Sequence, residues 1–176
     1  MDTDLTIGFL AGVDDPFYIT MQRGAERAAE ALGVNLEVQI PPDWNVTEQT
    51  PILDAMAASG NLDFLFLAPV DTEAMVAPLE SAGLPYLTVD TFVGDGDYRN
   101  GPVTEPLSYI GSANAEGGQL ACEALIEAIG GSGNIYIQNV LPGISTTDQR
   151  QEGCEAAIDA NPNVCLLYTS PSPRDS

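Results

Sequence analysis

Short apolar runs rich in strand formers alternate with amphipathic stretches about every thirty residues along most of this 176-residue chain, and that rhythm restricts the fold more than any other feature. Leu5 to Leu10 reads as a strand, and Ala11-Gly12-Val13-Asp14-Asp15-Pro16 as its exit loop. From Phe17 to Leu32 the apolar positions Tyr18, Met21, Ala25, Ala28 and Leu32 recur at three and four, with Gly33 as the stop, which predicts a helix. Val34, Leu36, Val38 and Ile40 then alternate with Asn35, Glu37 and Gln39, the pattern of a strand with one wet face near a sheet edge. Asn45-Val46-Thr47-Glu48 has capping-box spacing and opens a helix through Met56. Leu62 to Ala68 is a nearly continuous apolar strand, Asp71 caps a helix running to Ala82, and Pro85 to Asp90 is the next strand. Strand and helix in turn are the signature of right-handed crossovers building a parallel sheet, so the fold class is α/β, doubly wound.

Between Thr91 and Leu107 the rhythm lapses into Gly94-Asp95-Gly96-Asp97, Gly101-Pro102 and Glu105-Pro106, a loop leading to a second unit. A strand at Leu107 to Ile110, a helix at Ala115 to Ile129, a strand at Ile135 to Val140 and a helix at Asp148 to Ala160 follow, with a boundary near Gly111 to Asn114. The second unit is expected to be truncated, because one or two crossovers do not close a core. From Cys165 to Ser176 the alternation breaks into a Pro/Ser-rich string that resembles translated adapter sequence, and it is set aside as a foreign tail.

Charge narrows the chemistry. Five Lys plus Arg face 26 Asp plus Glu, for a net charge of -21, and the five are all Arg; there is no Lys and no His. Such a surface repels phosphate backbones and anionic membranes and suits strong salt, where self-repulsion is screened. Without Lys or His the chain lacks a P-loop lysine, Schiff-base chemistry, the commonest general base and the commonest zinc ligand. No apolar run approaches the roughly 18 residues a membrane helix needs, and the start carries no secretory signal pattern. Cys122, Cys154 and Cys165 show no C-x-x-C spacing and are odd in number, which argues against a disulfide framework or zinc site, and Cys122 and Cys154, on apolar faces of expected helices, read as buried inert thiols. Asp95 and Asp97 do not fit calcium-loop spacing and read as a solvated loop; no metal or cofactor is expected.

In an open parallel sheet the loops leaving the carboxyl ends of the strands line one crevice. Those loops offer Asp14, Asp15, Phe17 and Tyr18, then Pro69 and Asp71, then Asp90 and Thr91, with Ser112, Thr146, Asp148 and Arg150 in the second unit. Carboxylates accept hydrogen bonds from hydroxyl groups, a guanidinium donates to ring oxygens, and an aromatic ring covers the C–H face of a sugar, so a neutral polyhydroxylated ligand fits this set. Asp71 and Asp15 also have the position of helix caps.

Thr6-Ile7-Gly8-Phe9-Leu10, Asp14-Asp15-Pro16-Phe17-Tyr18, Arg23-Gly24-Ala25, Ala68-Pro69-Val70-Asp71, Leu87-Thr88-Val89-Asp90, Ile110-Gly111-Ser112 with Gly117-Gly118, and Arg150-Gln151-Glu152-Gly153 resemble the successive signatures of type I periplasmic sugar-binding proteins. The resemblance implies two lobes closing over a monosaccharide or small polyol, and a monomer that hands its ligand to an ABC-type permease outside the cytoplasmic membrane. It implies an N-terminal sugar-binding lobe at 1–111 and the start of a second lobe at 112–164, ahead of the segment 165–176 set aside above. It implies ligand contacts at Asp15, Phe17, Tyr18, Asp90, Ser112 and Arg150, to which position after the fourth strand adds Thr91 as an expected contact, while Ala68 stands where ribose binders carry Asn. Two other readings share these residues: the effector domain of a sugar-responsive repressor, and a glycoside hydrolase built on Asp15 and Asp90.

Overall fold

The computed structural model describes residues 4–167 and divides into two compact units, Met1–Gly111 and Ser112–Ser176. The first holds β1 (Thr6–Leu10), α1 (Pro16–Leu32), β2 (Asn35–Gln39), α2 (Val46–Ala58), β3 (Phe64–Leu67), α3 (Val76–Ala82), β4 (Tyr86–Val89) and β5 (Tyr109–Ile110). The strands form one parallel sheet in the order β2-β1-β3-β4-β5, with β2 at an edge. Order reverses at β1, the point at which such sheets open a crevice at their carboxyl ends.

Side-chain alternation puts helices on both faces. Leu10, Leu65, Leu67 and Tyr86 pack with Leu53 and Met56 of α2 and Leu79 of α3. Phe9, Ala11, Ala68 and Val89 pack with Tyr18 of α1 on the opposite face. Leu10, Leu65 and Leu67 are fully buried, each stabilising the fold by roughly 1.5–3 kcal/mol. Beneath α1 an apolar hollow of about 310 Å³ remains between Phe9, Phe66 and Val89 on the sheet and Ala25, Ala28 and Leu32 on the helix.

Local chemistry sets the ends of the elements. Asp15 caps α1 with Pro16 in its first turn, and Gly33, at φ 68°, ends it. Asn45 caps α2 by accepting from the Glu48 N–H at 3.1 Å. Asp71 caps a turn rather than a long helix, accepting from the Glu73 and Ala74 amides, and regular α3 begins only at Val76.

Gln49 of α2 is completely buried and joins two strand ends. Its Nε2 donates to the carbonyls of Ala11 at 3.0 Å and Ala68 at 2.7 Å, while its Oε1 accepts from the Val70 N–H at 3.1 Å. The amide thereby satisfies main-chain groups where β1 and β3 leave the sheet, groups that burial would otherwise leave unpaired.

The second unit holds α4 (Asn114–Ala128), β6 (Gly133–Tyr136), α5 (Ser145–Asp159) and β7 (Val164–Leu167), with β6 and β7 paired in parallel. Strand β6 ends earlier, and α5 begins earlier, than the sequence pattern predicts. Strand β7 covers the first three residues of the segment expected to be a foreign tail; residues 168–176 lie outside the described residues.

The cysteine expectation is corrected here. Cys122 of α4 and Cys154 of α5 are joined in a disulfide, with Cα atoms 5.1 Å apart. The two thiols face each other because the helices approach closely at Gly118 and Gly153: a Cβ at either would run into the backbone carbonyl of Arg150 or of Ala115. Helical spacing places each cysteine on an apolar face, but the pairing of those faces is a tertiary fact. Ile126, Ile135, Ala157, Ile158 and Val164 complete this small core.

Two outcomes follow. Gln49→Leu leaves two carbonyls and one amide buried without partners and is expected to destabilise the first unit by about 2–4 kcal/mol, read from the urea midpoint. Reducing the disulfide, whose cysteines are 32 residues apart, is expected to remove about 2–4 kcal/mol from the second unit, read by unfolding with and without reductant.

Candidate functional site

The residues singled out in the first unit gather where β1 and β4 end, and Tyr18 is the hub. Asp15 is half-buried and spends Oδ1 on the Tyr18 amide at 2.8 Å, so it is a helix cap as well as a candidate ligand group. Phe17 is 53% exposed and lies edge-on to Tyr18, with ring centroids 5.2 Å apart and planes at 81°. A large apolar ring left in solvent in the first turn of a helix that follows a strand end is the kind of surface a sugar C–H face covers.

Tyr18, expected as a ligand contact, lies inside the fold. It is only 2% exposed, its ring stacks with Trp44 at 6.2 Å, and its hydroxyl donates to Asp90 Oδ2 at 2.7 Å. Burial first, and then the negative charge of Asp90, push its phenol far above the ordinary tyrosine range. Thr91 differs too. It is buried and its hydroxyl donates to the Pro69 carbonyl at 2.7 Å, tying the loop after β4 to the loop after β3.

Asp90 holds an uncommon backbone conformation, φ 64°, the sole positive φ among the described non-glycine residues. The Thr91 N–H donates to the Val89 carbonyl at 2.7 Å, which makes Asp90 the centre of a three-residue turn. A side chain in that region costs about 1–3 kcal/mol and persists only where neighbours over-determine it. Here the Asp90 N–H donates to the Ile110 carbonyl at 2.9 Å, and its own carbonyl accepts from the Tyr109 hydroxyl at 2.7 Å. The turn lifts the carboxylate off the strand axis at the sheet's carboxyl edge, half-buried and hydrogen-bonded to Tyr18.

Trp44 and Gly12 belong to the site although periodicity gave no sign of them. The Asp14 N–H donates to the Pro41 carbonyl at 2.9 Å, which draws the loop carrying Trp44 against the exit of β1. A Cβ at Gly12 would press into the Trp44 ring and sit 2.8 Å from the Tyr18 hydroxyl, so only glycine leaves space for both rings. The Trp44 indole N–H is buried with no partner among the described residues. Pro-Pro followed by a lone Trp after an edge strand is the one sequence signal that marks it.

In the second unit Ser112 is exposed just ahead of α4, its carbonyl accepting from the Asn114 amide at 2.9 Å. Arg150 is exposed on α5. Sequence reasoning missed Asn139, which donates through Nδ2 to Asp148 Oδ1 at 3.2 Å and to Gln151 Oε1 at 2.9 Å; Asp148 Oδ2 also accepts from the Gly143 N–H at 2.8 Å. These side chains line an open polar hollow of about 470 Å³ beside Ile137 and Leu166. Among the described residues no three His, Cys, Asp or Glu side chains gather as a metal site would need.

Because the native state keeps Tyr18 protonated while the unfolded chain ionises near pH 10, its stabilisation is full below about pH 10 and falls as pH rises beyond it. The expected loss reaches about 1.4 kcal/mol per pH unit from this group, and Tyr18→Phe is expected to flatten that slope in denaturant midpoints measured from pH 8 to 11.5.

Comparison with known proteins agrees with the fold. A family model described as periplasmic binding protein domain matches residues 7–175. A ribose import binding protein of Haemophilus influenzae is 27% identical over 166 residues, covering 93% of this chain and 53% of that protein. A solute-binding protein of an ABC transporter from Agrobacterium vitis, solved with bound alpha-D-tagatopyranose, is 43% identical with a TM-score of 0.89, covering 95% of this chain and 58% of that one. A periplasmic solute-binding protein from Actinobacillus succinogenes, solved with D-allose, is 25% identical with a TM-score of 0.77, covering 93% of this chain and 58% of that one. The chain thus spans about half the length of the curated relatives it matches.

Proposed function

The chain belongs to the periplasmic binding protein domain family, and from that premise we propose that it binds a monosaccharide or similar small polyol and delivers it to an ABC-type importer. The observation that carries this reading is the pairing of Asp90, raised at the carboxyl edge on its positive-φ turn, with the exposed ring of Phe17 beside the same tyrosine. Sugar hydroxyls donate to Asp90 and to Asp15, while Phe17 covers an apolar C–H face. For the second unit the reading assigns Ser112 and Arg150 as further polar contacts. Tyr18 and Thr91 serve as supports rather than contacts, because their hydroxyls are committed within the protein.

The action is binding and release, with no covalent step. Location outside the cytoplasmic membrane is supported by the family and by the Cys122–Cys154 disulfide, since such bonds persist in oxidising compartments. The test is calorimetric titration and thermal shift of the 176-residue chain with D-tagatose, D-allose, D-arabinose and D-ribose. At least one sugar is expected to raise the melting temperature, and Asp90→Asn to weaken that binding at least tenfold. No shift with any of the four overturns the sugar reading.

A further inference from the structure

Asp90 is held from two sides by phenol groups. The Tyr18 hydroxyl, reaching from α1, donates to its Oδ2, and the Tyr109 hydroxyl, reaching from β5, donates to its main-chain carbonyl, each at 2.7 Å. One bond sets the side chain and the other the peptide that carries it. Both act on the one described non-glycine residue whose backbone is in a disfavoured region, where a conformation must be imposed from outside.

Each phenol has a place cleared for it. The Tyr18 ring is fixed between Phe17 and Trp44, and its hydroxyl lies where a Cβ at Gly12 would crowd it. The Tyr109 ring meets Phe92 edge-on at 5.5 Å, and its hydroxyl occupies the space a Cβ at Gly111 would take. Phenylalanine would fill the same ring volume at either position, so what tyrosine adds is the bond to Asp90.

We propose that Tyr18 and Tyr109 are positioning residues: their hydroxyls lock Asp90 in one orientation, and that orientation decides which ligand hydroxyl the carboxylate accepts. The proposal rests on the sugar-binding reading above. A carboxylate held in one rotamer receives a hydroxyl at one place on the ring, whereas a loosened one turns to meet an epimer, so the brace acts on selectivity as well as affinity.

The test uses Tyr18→Phe and Tyr109→Phe, singly and together, in native and Asp90→Asn backgrounds of the 176-residue chain, titrated with D-tagatose and its C4 epimer D-fructose. Each phenylalanine is expected to weaken binding of the preferred sugar about tenfold and to narrow the ratio between the epimers. In the Asp90→Asn background the same changes are expected to matter less than about threefold, because the group they position is gone. Unchanged affinity and ratio in both phenylalanine variants, with Asp90→Asn abolishing binding, would overturn the brace while leaving the sugar reading intact. So would equal losses for both epimers that track a fall in melting temperature, the mark of a merely structural role. Side-chain coupling constants of Asp90 by NMR give a ligand-independent measure in the 176-residue chain: a single χ1 that becomes averaged in Tyr18→Phe supports the brace, and averaging already present in the native protein refutes it.

Discussion

The buried amide of Gln49 holds together the part of the molecule on which everything at the carboxyl edge depends. Parallel strands end in loops, and a loop that turns away from a sheet leaves main-chain carbonyls and amides in search of partners. At the ends of β1 and β3 those partners are the three polar atoms of one side chain coming down from α2. With these exits fixed, Asp15 and Pro69 have defined places, and the Thr91 hydroxyl can bond the Pro69 carbonyl and tie in the end of β4. The rim is therefore a chain of small restraints passing from α2 to β1, to β3 and on to β4.

Asp90 stands at the far end of that chain. A left-handed backbone at a non-glycine residue needs outside support, and the support comes from groups that are themselves fixed by packing: Tyr18 against Trp44, Tyr109 against Phe92. Strain placed at a strand end and held by hydrogen bonds gives a carboxylate a definite direction. In a chain with 26 acids and 5 bases, this fixed direction sets Asp90 apart from the many carboxylates that face solvent.

The second unit is stabilised differently. Among the described residues its strands and helices enclose only a small core, and the close approach of α4 to α5 at Gly118 and Gly153 is secured by a covalent link between Cys122 and Cys154. Small residues allow the contact and the disulfide holds it, a sensible solution where too few apolar side chains are available to do so.

The order of elements, the parallel sheet, the edge position of β2 and the placing of Asp15, Phe17 and Asp90 near strand ends were legible in the chain, because they follow from periodicity, caps and the turn signals between elements. Gln49 was not, since a glutamine in a helix reads as solvent-facing until the strand ends it touches are known. Trp44, Tyr109 and Asn139 were missed for the same reason: a lone aromatic or amide carries no period. The disulfide escaped notice because helical spacing says which face a cysteine occupies and nothing about the face opposite. What the sequence determined alone is what neighbours along the chain decide, namely element type, ends and sidedness. What only the tertiary structure decided is which side chains spend their polar atoms on distant backbone, since hydrogen bonds spanning 19 to 72 residues, such as Gln49 to Ala68 and Tyr18 to Asp90, leave no mark in local pattern.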